Sequence, residues 1–156
     1  MTTKDIGNLA ENLAARYLEE KGYEILEKNY KKPWGEIDII ASLNPKSKIA
    51  YSAEAASAAK AGLNPKNGGA MVMPDGDDGD ATIIFVEVKA NKSDFSGIFS
   101  PEERVNEYKR NKIARVASFF MENEIGNTEL EWRIDVLAVT FDEANKKAKV
   151  RHYKGI

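Results

Sequence analysis

The chain has 156 residues, 42% of them hydrophobic, enough for one domain with a single core built around one sheet. It contains no cysteine, which excludes a disulfide framework, a thiolate nucleophile and a cysteine-rich zinc site; with no bilayer-length apolar run and no secretory-type leader, the expectation is a soluble, cytoplasmic protein. A net charge of -2 gives no global reason to adhere to nucleic acid, so a polyanionic partner would have to be held by a local basic patch.

Ile6, Leu9, Ala10, Leu13, Ala14, Tyr17 and Leu18 recur at three- and four-residue steps ahead of Gly22, which predicts an amphipathic helix over about residues 4–21. Tyr23 to Asn29 is a candidate strand, followed by a basic turn ending in Pro33 and a second strand over Gly35 to Ala41. From Leu43 to Asp80 the composition turns to alanine, serine, glycine, asparagine and acidic residues, read as a long insertion with at most a short alanine-rich helix near Glu54 to Ala61. Thr82 to Lys89 has the β-branched and aromatic character of a central strand covered on both faces. Ser100, Pro101 and Glu103 match a capping box with proline at the first helical position, predicting a helix that runs to about Ile125 and stops at Gly126. Trp132 to Phe141 and Lys147 to Tyr153 are the last two strands, a hairpin across Asp142 to Lys146. The order α-β-β-β-α-β-β describes one α/β domain over residues 1–156, a sheet flanked by helices and interrupted by the insertion.

Charges inside apolar strands need a reason. Asp38 stands within Ile37-Asp38-Ile39-Ile40, and Glu87 and Lys89 within Phe85-Val86-Glu87-Val88-Lys89. Strand alternation puts Glu87 and Lys89 on one face, and pairing with the Gly35 to Ala41 strand would bring Asp38 beside them. Two carboxylates offer oxygen ligands to a hard divalent cation, magnesium or manganese, and the ammonium a positive group beside an attacking water. Each member taken alone fits a satisfied ion pair at the sheet edge equally well. Glu11 falls at the border of the first helix's apolar stripe, a position that suits a solubilising glutamate or a further ligand. In the second helix Val105, Tyr108, Val116, Phe119 and Phe120 mark an apolar face that also contains Lys109 and Lys112, whose ammonium groups either snorkel outward or reach the carboxylates and a phosphate. Lys31, Lys32 and Arg110 add to two basic clusters able to neutralise phosphates, although solvated surface charge explains each cluster as well. Asp135, between Ile134 and Val136, suits a structural partner for an arginine or lysine, and His152 is assigned no role.

Gly7-x-x-x-Glu11-x-x-Ala14, Gly35-Glu36-Ile37-Asp38, Phe85-Val86-Glu87-Val88-Lys89, Lys109-Arg110-x-Lys112 and Arg133-Ile134-Asp135-Val136 together resemble the YraN-type family of uncharacterised proteins. That family is similar to the PD-(D/E)XK, or restriction-endonuclease-like, nucleases and to Holliday-junction resolvases. The resemblance implies a mixed sheet with flanking helices and a magnesium or manganese site. In it Asp38 and Glu87 would be the two acids, Lys89 the motif lysine and Glu11 the first-helix acid. Two features depart from the pattern: the length of the insertion between Asp38 and Glu87, and Asn91 where an arginine often follows the strand. The functional expectation is a metal-dependent endonuclease acting on DNA, branched DNA included, and a resolvase-like role would call for a homodimer. The alternatives are a nucleic-acid-binding module on the same fold that does not cut, and a protein adaptor that works through the 43–80 insertion.

Overall fold

The computed structural model describes residues 1–43, 81–91, 105–126 and 129–156. The 44–80 part of the insertion, with its alanine-rich stretch, and the Ser100-Pro101-Glu103 capping box lie outside the described residues. Helix α1 (Thr3–Glu20) opens on a capping box in which the Thr2 hydroxyl accepts from the Asp5 backbone N–H at 3.2 Å while Asp5 accepts from the Thr2 N–H at 2.8 Å. It ends where Gly22 adopts φ 88 and the Tyr23 N–H turns back to the Leu18 carbonyl. Three strands follow, β1 (Glu24–Lys32), β2 (Gly35–Leu43) and β3 (Thr82–Asn91). Helix α2 (Glu107–Phe120) then runs through a π-helical turn at Met121–Ile125 and stops at Gly126, φ 71, before β4 (Trp132–Asp142) and β5 (Lys147–Tyr153).

The sheet order is β1-β2-β3-β4-β5, antiparallel throughout except for the parallel pair β3 and β4, whose crossover carries α2. This is the mixed α/β sheet and the element order expected. The register also explains how the chain tolerates its insertion, because Leu43 and Thr82 pair directly and the two ends of the connection leave the sheet side by side. One difference concerns α2. Asn106 is extended at φ -67, ψ 168, so the helix of the described residues begins at Glu107 and is capped by the Asn106 side chain.

Each face of the sheet is covered by one helix. Ile40, Ile83 and Phe85 pack with Ile113, Val116, Ala117 and Phe120 on the α2 side. Ile39, Ala41, Ile84, Val86, Leu137 and Val139 pack with Ala10, Ala14 and Leu18 of α1 on the other. Burial on both faces accounts for the continuous apolar runs of β2, β3 and β4. No helix among the described residues is long and apolar enough to cross a membrane.

Candidate active site

On β3 the two faces alternate, with Ile83 and Phe85 toward α2 and Ile84 and Val86 toward α1. The same period carries Glu87 and Lys89 onto the α2 side, where the apolar row ends and charge begins. Glu87 is only 4% exposed. Its Oε1 accepts from Lys89 Nζ at 2.6 Å and lies 3.4 Å from Lys109 Nζ, while its Oε2 is buried with no hydrogen-bond partner among the described residues.

Asp38 reaches this point through a break in the sheet. Pairing of β2 with β3 runs from Leu43 only as far as Ile39, opposite Val86. Ile37 and Ile40 belong to the same α2-side cluster although they are three residues apart, so strict alternation fails around Asp38. Across on β1, Asn29 stands in the left-handed conformation at φ 53, between the pairs Lys28 with Ile39 and Tyr30 with Ile37. Where the ladder ends, Asp38 Oδ2 accepts the Val88 backbone N–H at 2.7 Å and ties the parting strands together. Burial, and then the neighbouring Glu87 charge, push the Asp38 carboxyl up to about 7, against the opposing pull of the Val88 N–H and Lys109.

Helix geometry delivers Lys109. At 100° per residue it falls about 40° from Ile113, inside the buried face, whereas Tyr108 falls about 140° away. Tyr108 accordingly is 70% exposed, a correction to the apolar face expected for this helix. Lys112 does not go to the carboxylates; its Nζ lies 5.2 Å from the Tyr108 ring centroid. Glu11 accepts from Asn29 Nδ2 at 3.0 Å and adds to the negative field on Asp38. A cleft of about 560 Å³ between the β1–β2 turn and α2 collects Lys31, Lys32, Lys109, Lys112 and Arg115, with Glu36 beside Lys31 at 3.6 Å. Arg110 is exposed on α2 outside that lining.

Asp135, the other buried acid among the described residues, shows what a satisfied carboxylate looks like in this fold. Asp135 receives four donors: Arg133 Nε at 2.8 Å, Arg133 Nη2 at 3.2 Å, His152 Nε2 at 2.7 Å and the Gly155 N–H at 2.9 Å. Burial alone would raise its pKa, but the bonds from His152, Arg133 and Gly155 outweigh burial and hold it below the usual carboxylate value. His152 therefore has a place, contrary to expectation. An ionised carboxylate is acceptor-only, so His152 Nε2 carries a proton and donates it to Asp135. The hairpin register held the clue, since His152 pairs with Leu137 and Asp135 is the next residue on that face of β4.

The two acids of the site fit a divalent cation by the same comparison. No donor among the described residues reaches the buried Glu87 Oε2, whereas Asp135 has several, and Asp38 beside it resists ionising in the metal-free protein. Among the described residues no group of three or more His, Cys, Asp and Glu is gathered for a metal, so the remaining ligands would be water and substrate oxygens, as is common for magnesium.

A family model described as "Uncharacterised protein family UPF0102" matches residues 10–139, a span that includes Asp38, Glu87, Lys89 and Lys109. The chain is similar to a UPF0102 protein of Alkaliphilus oremlandii, 35% identical over 150 residues that cover 96% of this chain and 94% of the relative. A UPF0102 protein of Caldicellulosiruptor bescii is 31% identical over 154 residues, covering 99% and 98%. One of Fervidobacterium nodosum is 35% identical over 150 residues, covering 95% and 78%.

Proposed function

The chain belongs to the uncharacterised protein family UPF0102, and from that premise we propose that it is a metal-dependent nuclease that hydrolyses phosphodiester bonds in DNA. The observation that carries the reading is the half-satisfied Glu87, with one oxygen held by two lysines and the other buried without a partner among the described residues, beside Asp38. In a purely structural ion pair such an oxygen would cost about 1–3 kcal/mol, a cost that a bound cation removes.

Asp38 and Glu87 would hold magnesium or manganese, which supplies Lewis acidity toward a phosphate oxygen and lowers the pKa of a water. Lys89, whose ammonium emerges beside Glu87 at 26% side-chain exposure, orients the incoming water and offsets the negative charge that builds on the phosphate. Lys109, shared between Glu87 and the basic cleft, steadies the phosphate in line for attack. The water oxygen bonds to phosphorus as the bond to the leaving sugar oxygen breaks; the water gives up a proton and the leaving oxygen takes one.

The test is a panel of linear, flapped, splayed and four-way-branched DNAs, incubated with magnesium or manganese. The wild type is expected to cut at least one member, and Glu87→Gln to lose at least about a hundredfold in rate. No cleavage of any member with either ion would contradict the proposal. The basic cleft favours a second reading, a module that grips nucleic acid without cutting; it requires Glu87→Gln to bind as the wild type does and the wild type to leave every DNA intact.

A further inference from the structure

Trp34 and Tyr108 line the same cleft as the five cations, and both stand well out of the core at 39% and 70% exposure. Exposed aromatic faces beside cations offer a surface on which the flat rings of a ligand can stack. Neither ring is loosely hung. Trp34 follows Pro33 in the β1–β2 turn and meets Phe119 of α2 in a T-shaped contact, centroids 5.4 Å apart and planes at 73°. The turn is pressed against the helix, since a Cβ on the next residue, Gly35, would sit 2.9 Å from Val116 Cγ2. Tyr108 projects from the first turn of α2 with the Lys112 ammonium 5.2 Å from its ring centroid.

The cleft joins the candidate active site through Lys109, which lines it and lies 3.4 Å from Glu87. Among the described residues the lining sets five cations against one carboxylate, Glu36, a positive balance in a chain whose net charge is -2. Cations with exposed aromatic faces are what a single strand requires, phosphates on the ammonium groups and a base on a ring. A paired duplex offers ring edges in its grooves and keeps the base faces stacked inside. We infer that the cleft between the β1–β2 turn and α2 binds an unpaired stretch of DNA, with bases stacked on Trp34 and Tyr108 and the backbone led past Lys109 toward Glu87. The inference rests on the nuclease reading for the identity of the polymer. It sets the substrate class as DNA carrying a single-stranded segment, rather than the fully paired junction that likeness to resolvases implies.

Binding measured in EDTA separates this claim from cleavage. Labelled oligo-dT, a duplex of equal length and a fully paired four-way junction are titrated with wild type, Trp34→Ala and Tyr108→Ala, each checked for cooperative melting. Oligo-dT is expected to bind most tightly, each substitution weakening it about ten- to a hundredfold while duplex binding changes little. Should Trp34→Ala fail to fold, Tyr108→Ala and the quenching of Trp34 emission by oligo-dT in a Trp132→Phe background carry the test. Equal or weaker binding of the single strand than of the duplex, or undiminished binding by the variants, overturns the inference. Tight single-strand binding by a protein that cuts nothing would keep the stacking cleft and remove the nuclease reading.

Discussion

At the scale of single residues, Asp38 trades stability for its position. The folded protein holds the Asp38 proton up to about 7, while the reference value for the group is 3.8. Between those values the folded state binds more protons than the unfolded one, so this residue's contribution falls as pH rises. In metal-free protein Asp38→Asn should therefore raise stability by roughly 1–3 kcal/mol near pH 8 and by almost nothing near pH 3, read from denaturant midpoints. A variant no more stable than the wild type at the higher pH would show that the crowding of the two acids is not real. Asp135 has the opposite sign. Its carboxyl is held down, so its contribution is present above the ordinary carboxylate value and is lost as pH falls through the lower folded value. Asp135→Asn exposes two of four donors to an amide that donates, and a cost of about 2–4 kcal/mol at neutral pH is expected, shrinking toward nothing in acid. The sequence could show Asp38, Glu87 and Lys89 because charge within an apolar strand is conspicuous. It could not show which acid is satisfied, since the donors to Asp135 come from its own strand, from β5 and from the chain's last residues.

At the scale of elements, the β1–β2 turn meets α2 at Trp34 against Phe119 and, most closely, at Gly35 against Val116. Gly35 is the only residue type that lets the turn lie against Val116 without displacement. Gly35→Ala should cost about 1–3 kcal/mol by overpacking, and Gly35→Ala with Val116→Ala should cost less than the sum of the two single changes. Additive losses in that cycle would mean the two elements are not in contact there. Periodicity made α1, the strands and the terminal hairpin legible, because each has one buried face or two. The start of α2 was misread for a local reason: Asn106 competes for the backbone as a cap, and it places Tyr108 outward and Lys109 inward. Alternation likewise pointed Asp38 toward Glu87, but the broken register that lets it cap Val88 leaves no mark in hydrophobic pattern.

At the scale of the whole molecule, β2 and β3 bring their charged ends together beside α2, with the basic aromatic cleft alongside. The insertion enters and leaves through the paired residues Leu43 and Thr82, away from that end of the strands. Replacing residues 44–80 by a short hairpin loop should preserve cooperative melting, and on the adaptor alternative it would be the change that abolishes function. Asp38 and Glu87 are proposed to form a cation site, on which the nuclease reading depends. The most direct measurement is calorimetric titration of manganese into the wild type, Asp38→Ala and Glu87→Ala, all verified as folded, with and without uncleavable DNA. Saturable binding by the wild type that either substitution abolishes is the expected result; wild-type protein that binds no manganese even with DNA present, or variants that bind it equally well, would contradict the account.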